Sequence, residues 1–243
     1  MISFLISALK IIFLLGFLIF IHESGHFLVA KACKIKVKEF AIGFGPTIWK
    51  KQGKETTYEL KAIPMGGFVN MLGEEEPVED ERAYNKLSIP KRMCILVAGG
   101  AVNIIFGLLV CAIIATSILG LKNGLIFTGK FWGATIDGIV QLFTGNVGAD
   151  QLVGIVGISD MVVETNGLQE FAYMLAVISV SLGVTNLLPF PPLDGGKIFL
   201  LIIEAIRRKP LKQNTEIGIQ MAGFFLLIGL SIFVTYNDIL RIF

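Results

Sequence analysis

Apolar residues run almost unbroken through four stretches of the chain: Ile2 to Leu28, Met93 to Leu119, Phe171 to Leu188 and Ile217 to Val234. Each approaches or exceeds the roughly 20 residues that a helix needs to cross a ~30 Å hydrocarbon layer, so four membrane spans are expected. Between the first two, the pattern changes to alternation, with Ile35 and Val37 set against Lys34, Lys36 and Lys38, and again from Thr57 to Lys61. A period of two predicts short strands. Gly43, Gly45, Pro46, Gly53, Pro64, Gly66 and Gly67 supply the turns, so a small membrane-associated β-rich element is expected over about 35–70. From Leu121 to Gly167, Phe131, Trp132, Ile136, Ile139, Val140 and Phe143 gather on one side of a helix, which predicts an amphipathic segment lying on the outer membrane surface. Lys130 and Asp137 disfavour a full crossing there, and a fifth span stays open. The acidic run Glu74, Glu75, Glu76, Glu79, Asp80 and Glu81 reads as a solvated loop.

The third stretch is interrupted by Asn186, Pro189, Pro191, Pro192, Asp194, Gly195 and Gly196 before apolar residues resume at Ile198. Three prolines remove three backbone donors and oppose a regular helix. Exposed peptide groups are tolerated at membrane depth only beside protein or a watery cavity. The expected third span therefore covers about 171–206 and is broken in the middle, and the break is itself a sign of a site. The fold class that follows is an all-α membrane protein with a β-rich element after its first span, formed by one domain over 1–243.

Composition agrees, since 54% of the 243 residues are hydrophobic and only 16% charged, more apolar surface than a soluble core of this size needs. A net charge of +2 gives no case for a nucleic-acid partner. The placement of the basic residues says more. They crowd between the first and second spans, and Arg207, Arg208, Lys209 and Lys212 lie between the third and fourth. By the positive-inside rule these loops are cytoplasmic and both termini face outward. The N-terminal stretch has no basic residue before it and outruns a signal-peptide core, so it is expected to persist as a helix. Cys33, Cys94 and Cys111 have no metal-ligand or disulfide spacing and read as free thiols.

His22-Glu23-Ser24-Gly25-His26 spells H-E-x-x-H and contains both histidines of the chain. On a helix the two imidazoles share a face at i and i+4, close enough to hold one metal ion, and Glu23 projects beside them as a general base. Lys31 follows five positions later, which puts the motif inside the membrane toward the cytoplasmic side. Catalytic zinc takes three protein ligands and an open position, and with no third histidine a carboxylate has to complete the set. Asp194 is the candidate, an acid in an apolar span at a break that can turn it inward. Alone, it also reads as a turn residue capping the following half-helix. Asp137, Asp160 and Asp238 are disfavoured by topology.

HESGH at 22–26, followed by NLLPFPPLDGG at 186–196, resembles the site-2 protease family of intramembrane zinc metalloproteases, in its bacterial regulator-of-sigma-E protease (RseP-like) branch. GFGP at 43–46, PMGGFV at 64–69 and GGAVN at 99–103 extend the resemblance. It implies Zn2+ on His22, His26 and Asp194, water activation by Glu23 and substrate contact by Asn186. Asn103 matches an Asn of the second span; contact with substrate and a hydrogen bond between packed helices stand as equal readings. Leu121–Gly167 is too short for the PDZ domain common in that branch. The resemblance implies a bacterial inner membrane, a transmembrane or signal-peptide substrate, and regulated intramembrane proteolysis. An edge strand between Val37 and Val69 that presents an unwound substrate, or a merely structural hairpin, both fit the β-rich region. A broken helix with an intramembrane acid also describes an ion-coupled transporter, and a non-proteolytic metal sensor would keep the ligands without needing Glu23.

Overall fold

The computed structural model describes residues 2–146, 148 and 151–242. Val147, Ala149 and Asp150 of the expected outer segment lie outside them, as do the side chains of Ile2, Ser3, Phe4, Met65, Phe143 and Ile242. The order of elements is α1 (Ile2–Ala32), β1 (Val37–Gln52), β2 (Thr57–Met71), a 3-10 turn (Tyr84–Lys86), α2 (Ile89–Leu119), α3 (Leu121–Phe143), α4 (Ile155–Glu164), α5 (Leu168–Asn186), α6 (Asp194–Arg207) and α7 (Gln213–Ile242). Among the described residues, four helices are long and apolar enough to cross a membrane: Leu5–Ala32, Ile89–Leu119, Leu168–Asn186 and Gln213–Arg241. Their apolar residues encircle the helix axis, the pattern of a helix surrounded by lipid and protein. Pro90 sits at the start of α2, where its missing N–H interrupts nothing.

The chain divides into two compact units. One comprises residues 12–103 and 182–219. Here β1 and β2 are long antiparallel strands, each of which pairs more than once. Residues 39–42 have 57–60 on one side and 67–70 on the other, and 57–61 pair again with 47–52. Among the described residues, the segment 67–71 thus has a strand partner on one side only. Ala30, Ile35, Val37, Phe40, Val69, Met71 and Ile95 form one buried cluster that fastens the strands to α1 and α2. Phe40 meets Phe27 edge-on at 5.3 Å and Phe20 at 6.1 Å. Between α5 and α6 the backbone recloses in tight turns, Phe190 N–H donating to Leu188 O and Leu193 N–H to Phe190 O. That is how an interrupted span keeps its polar groups paired. The Pro191–Pro192 peptide is cis.

The other unit comprises residues 1–11, 104–181 and 220–243. The first half of α3 lies against α2, since a Cβ on Gly124 would strike the Thr116 backbone and Thr128 Oγ1 is 3.9 Å from Cys111 Sγ. Phe127 and Phe131 pack on Tyr173 of α5 at 6.5 and 6.4 Å. α4 is held at both ends. Asp238 of α7 accepts the N–H groups of Gly154 and Gly157 at 3.0 and 2.9 Å, and Lys10 of α1 donates to Thr165 O at 2.8 Å. These are the groups a helix leaves unpaired at its termini, and each end meets a charge of the favourable sign.

Candidate metal centre

The H-E-x-x-H run falls in the last third of α1, well inside its hydrogen-bonded turns, so a regular helix delivers His22 and His26 on one face. Two glycines let α2 come up against that face. A Cβ on Gly25 would strike Ala98 O, and one on Gly99 would strike His26 Nε2 and come within 2.9 Å of His22 Cε1. Asp194 opens α6 after the proline-rich turns. Its carboxylate is not a helix cap, because the N-cap position is Leu193 and carries no side-chain cap bond.

Asp194 Oδ2 lies 3.1 Å from His22 Nε2 and 3.2 Å from His26 Nε2, and the two Nε2 atoms are 3.2 Å apart. The three donor atoms form a nearly equilateral triangle. A tetrahedral zinc site with bonds of about 2.0–2.1 Å has ligand-to-ligand edges of about 3.3–3.4 Å, so the triangle fits one face of such a site and leaves the fourth position open. A second observation points the same way: Asp194 Oδ2 is buried yet makes no hydrogen bond of acceptable geometry. A buried carboxylate oxygen without a hydrogen bond calls for a cation. Of the described His, Cys, Asp and Glu residues, His22, His26 and Asp194 are the group that can hold a metal ion.

The imidazoles are oriented from behind. His26 Nδ1 meets Ile95 O at 2.8 Å, so it carries the proton and leaves the Nε2 lone pair facing the triangle. The side-chain amide of Asn103 lies 3.5 Å from His22 Nδ1, a long contact. Asn103 is fully buried behind His22. Asn186 is the last residue of α5 and half-buried, and it is not among the residues that line the pocket.

That pocket, about 180 Å³, is lined by His22, Glu23, His26, Asp194 and Lys197 together with Gly67, Phe68, Val69, Met71, Glu74 and Leu96. Glu23 faces the edge strand so closely that a Cβ on Gly67 would come within 2.9 Å of Glu23 Cγ. The open edge of 67–71 therefore borders the carboxylate. Sequence reasoning missed Lys197 and Glu74, which pair at 3.3 Å in the wall of the pocket. The signal for Lys197 was available, as a cation three residues from Asp194 in an apolar half-helix. A larger cavity, about 630 Å³, belongs to the other unit and is lined mainly by apolar residues such as Ile114, Ile118 and Met174; it holds none of the candidate ligands.

Comparison with known proteins gives a consistent picture. A family model described as Peptidase family M50 matches residues 10–230. A protein of Clostridium acetobutylicum named "Putative zinc metalloprotease" is 28% identical, over 92% of this chain and 94% of the relative. One of the same name from Campylobacter jejuni is 28% identical over 98% of this chain and 94% of the relative. A Streptococcus pyogenes protein, also so named, is 44% identical over 49% of this chain and 28% of its own length. The first two alignments extend over 320 and 346 residues, more than this chain's 243, so those relatives carry residues with no counterpart here. Family and names indicate Zn2+ as the metal.

Proposed function

The chain belongs to peptidase family M50, and from that premise we propose that it is an intramembrane zinc endopeptidase, cutting a transmembrane or signal-peptide substrate inside the bilayer as a step of regulated proteolysis. The observation that carries the reading is the triangle of His22 Nε2, His26 Nε2 and Asp194 Oδ2, with edges of 3.1 to 3.2 Å, beside Glu23, on a first helix able to span a membrane. We assign His22, His26 and Asp194 as the zinc ligands and Glu23 as the general base.

Zinc, when bound, supplies a Lewis acid that brings the pKa of a water down to about 7 and polarises a peptide carbonyl. Glu23 lines the same pocket and takes the proton of that water, then returns it to the leaving amine. Ile95 O and Asn103 hold the two imidazoles so that their Nε2 atoms converge. Asn103 does so through its side-chain amide, which stands 3.5 Å behind His22 Nδ1. It is thus a positioning residue and not a substrate contact. For Asn186 we retain a contact to the substrate, made outside the small pocket.

A helical substrate hides its peptide bonds in its own hydrogen-bond ladder and has to unwind before attack. The segment 67–71, paired on one side only and bordering Glu23, offers the opened chain backbone partners by strand addition. The excess of Lys and Arg between the first and second spans and after α6 supports a multi-pass protein of the bacterial plasma membrane with this pocket toward the cytoplasm.

The test compares wild type with Glu23→Gln on a membrane-spanning peptide in detergent micelles. Wild type carries about one zinc per chain and cleaves. Glu23→Gln keeps the zinc and loses at least about 100-fold in rate, the usual scale of acid–base catalysis. Full activity in the variant would remove Glu23 from the chemistry, and wild type without zinc would end the reading as a whole.

A further inference from the structure

Among the described residues, Lys197 is the basic side chain in the wall of the pocket. Lys197 lines it together with Glu23, Asp194 and Glu74, and its ammonium donates to Glu74 Oε1 at 3.3 Å. Glu74 follows the edge strand by a single turn: β2 ends at Met71, Gly73 has a φ of 77°, and the Glu74 N–H donates back to Met71 O at 3.3 Å. The pair therefore joins the end of the edge strand to the first turn of α6 at one end of the pocket. Neither side chain is sealed off, with 34% of Lys197 and 24% of Glu74 exposed. A partly exposed ion pair is held weakly and exchanges its partner at little cost.

Charge decides what can take Glu74's place. A divalent ion balances Asp194 and Glu23, and Lys197 balances Glu74. A substrate carboxylate on Lys197 preserves that balance while Glu74 turns to water. A substrate ammonium would draw Glu74 away and leave Lys197 without its ion-pair partner beside a dication, a like-charge contact.

We propose that Lys197 is a specificity residue that recognises a carboxylate of the substrate at this end of the pocket, accepting it in exchange for Glu74. The proposal rests on the protease reading above. The carboxylate belongs either to an Asp or Glu side chain near the cleaved bond or to the C-terminus of a short substrate, and the experiment separates the two.

The zinc-loaded full chain is assayed in micelles against membrane-spanning peptides that differ only in Asp, Asn or Lys at successive positions around the cleaved bond, each made with a free and an amidated C-terminus. At one position the Asp peptide is expected to exceed the Asn peptide about tenfold in kcat/KM, the value of one charge-assisted hydrogen bond, with the Lys peptide lower still. If the terminal carboxylate is the group recognised, amidation alone produces the loss. Lys197→Glu inverts the order of the peptides, and Glu74→Gln, which leaves Lys197 in place, widens the preference for the acid. Zinc per chain is measured in every variant so that a loss of metal or fold is seen separately. An unchanged ranking of the peptides in both variants, or a wild type indifferent to charge and to amidation, would overturn the proposal. Failure of the protease reading looks different: the zinc-loaded wild type then cleaves none of the peptides, and the role of Lys197 falls with it.

Discussion

Asp194 and Asp238 are both carboxylates on largely apolar helices, one in each unit, and their surroundings differ in kind. Asp238, 2% exposed, accepts two backbone N–H groups at the start of α4. The chain thus provides the donors for this charge, and a helix N-terminus provides the field. Asp194 Oδ2 has no such backbone donors among the described residues. It faces two imidazole nitrogens at 3.1 and 3.2 Å without making a hydrogen bond. A buried acid that the fold satisfies is part of the scaffold, whereas one that the fold leaves waiting for a cation marks a site.

Exchanging each acid for alanine should separate the roles. Asp194→Ala removes a ligand, and cleavage of a membrane peptide is expected to fall below detection. Asp238→Ala leaves two half-buried N–H groups without this acceptor and is expected to destabilise the protein by about 1–3 kcal/mol, read as a lower denaturation midpoint in micelles, while zinc per chain stays at wild-type level. Equal loss of zinc in both variants would erase the distinction. A weaker effect belongs to Asn103, which stands behind His22 at 3.5 Å. Asn103→Ala is expected to lower zinc affinity about tenfold, the small end of the range for residues that orient metal ligands, as measured by competition with a chelator. Unaltered affinity would show that the contact does not orient the imidazole.

The smallest effect lies away from both aspartates, where a carboxylate has exposed partners. Arg82 grips Glu55 with two bonds of 2.7 and 2.9 Å and Lys31 adds a third at 3.1 Å. The Arg82 guanidinium first, then Lys31, brings the Glu55 carboxyl down from 4.5 to about 2. A depressed carboxylate contributes stability that is complete above its ordinary pKa and disappears as pH falls through the lowered one. The difference in thermal midpoint between wild type and Glu55→Gln should therefore be constant above about pH 5 and shrink from about pH 4.5 towards 2. A difference that grows on acidification would contradict the assignment.

What was legible in the sequence follows the range of the interactions. Long apolar runs reveal helices by themselves, so the four spans appear where Ile2–Ala32, Ile89–Leu119, Leu168–Asn186 and Gln213–Ile242 are helical, and alternation reveals β1 and β2. Three prolines show the break before Asp194, and H-E-x-x-H shows two imidazoles on one face because helical spacing is local. The structure adds the third corner of the triangle by bringing residue 194 beside residues 22 and 26. Short α4 was not visible, since ten residues carry too little periodicity and its ends depend on Asp238 and Lys10, far away in the chain. Glu74 shows the same limit. Within an acidic run it reads as solvated, as Glu75 and Glu76 are, yet it pairs with a lysine 123 positions later.

The most direct test is the metal content of Asp194→Ala, purified as a folded, monodisperse protein beside wild type and Asp238→Ala. The account predicts about one zinc per chain in wild type and Asp238→Ala and essentially none in Asp194→Ala. A full complement of zinc in Asp194→Ala would mean that this carboxylate does not hold the ion.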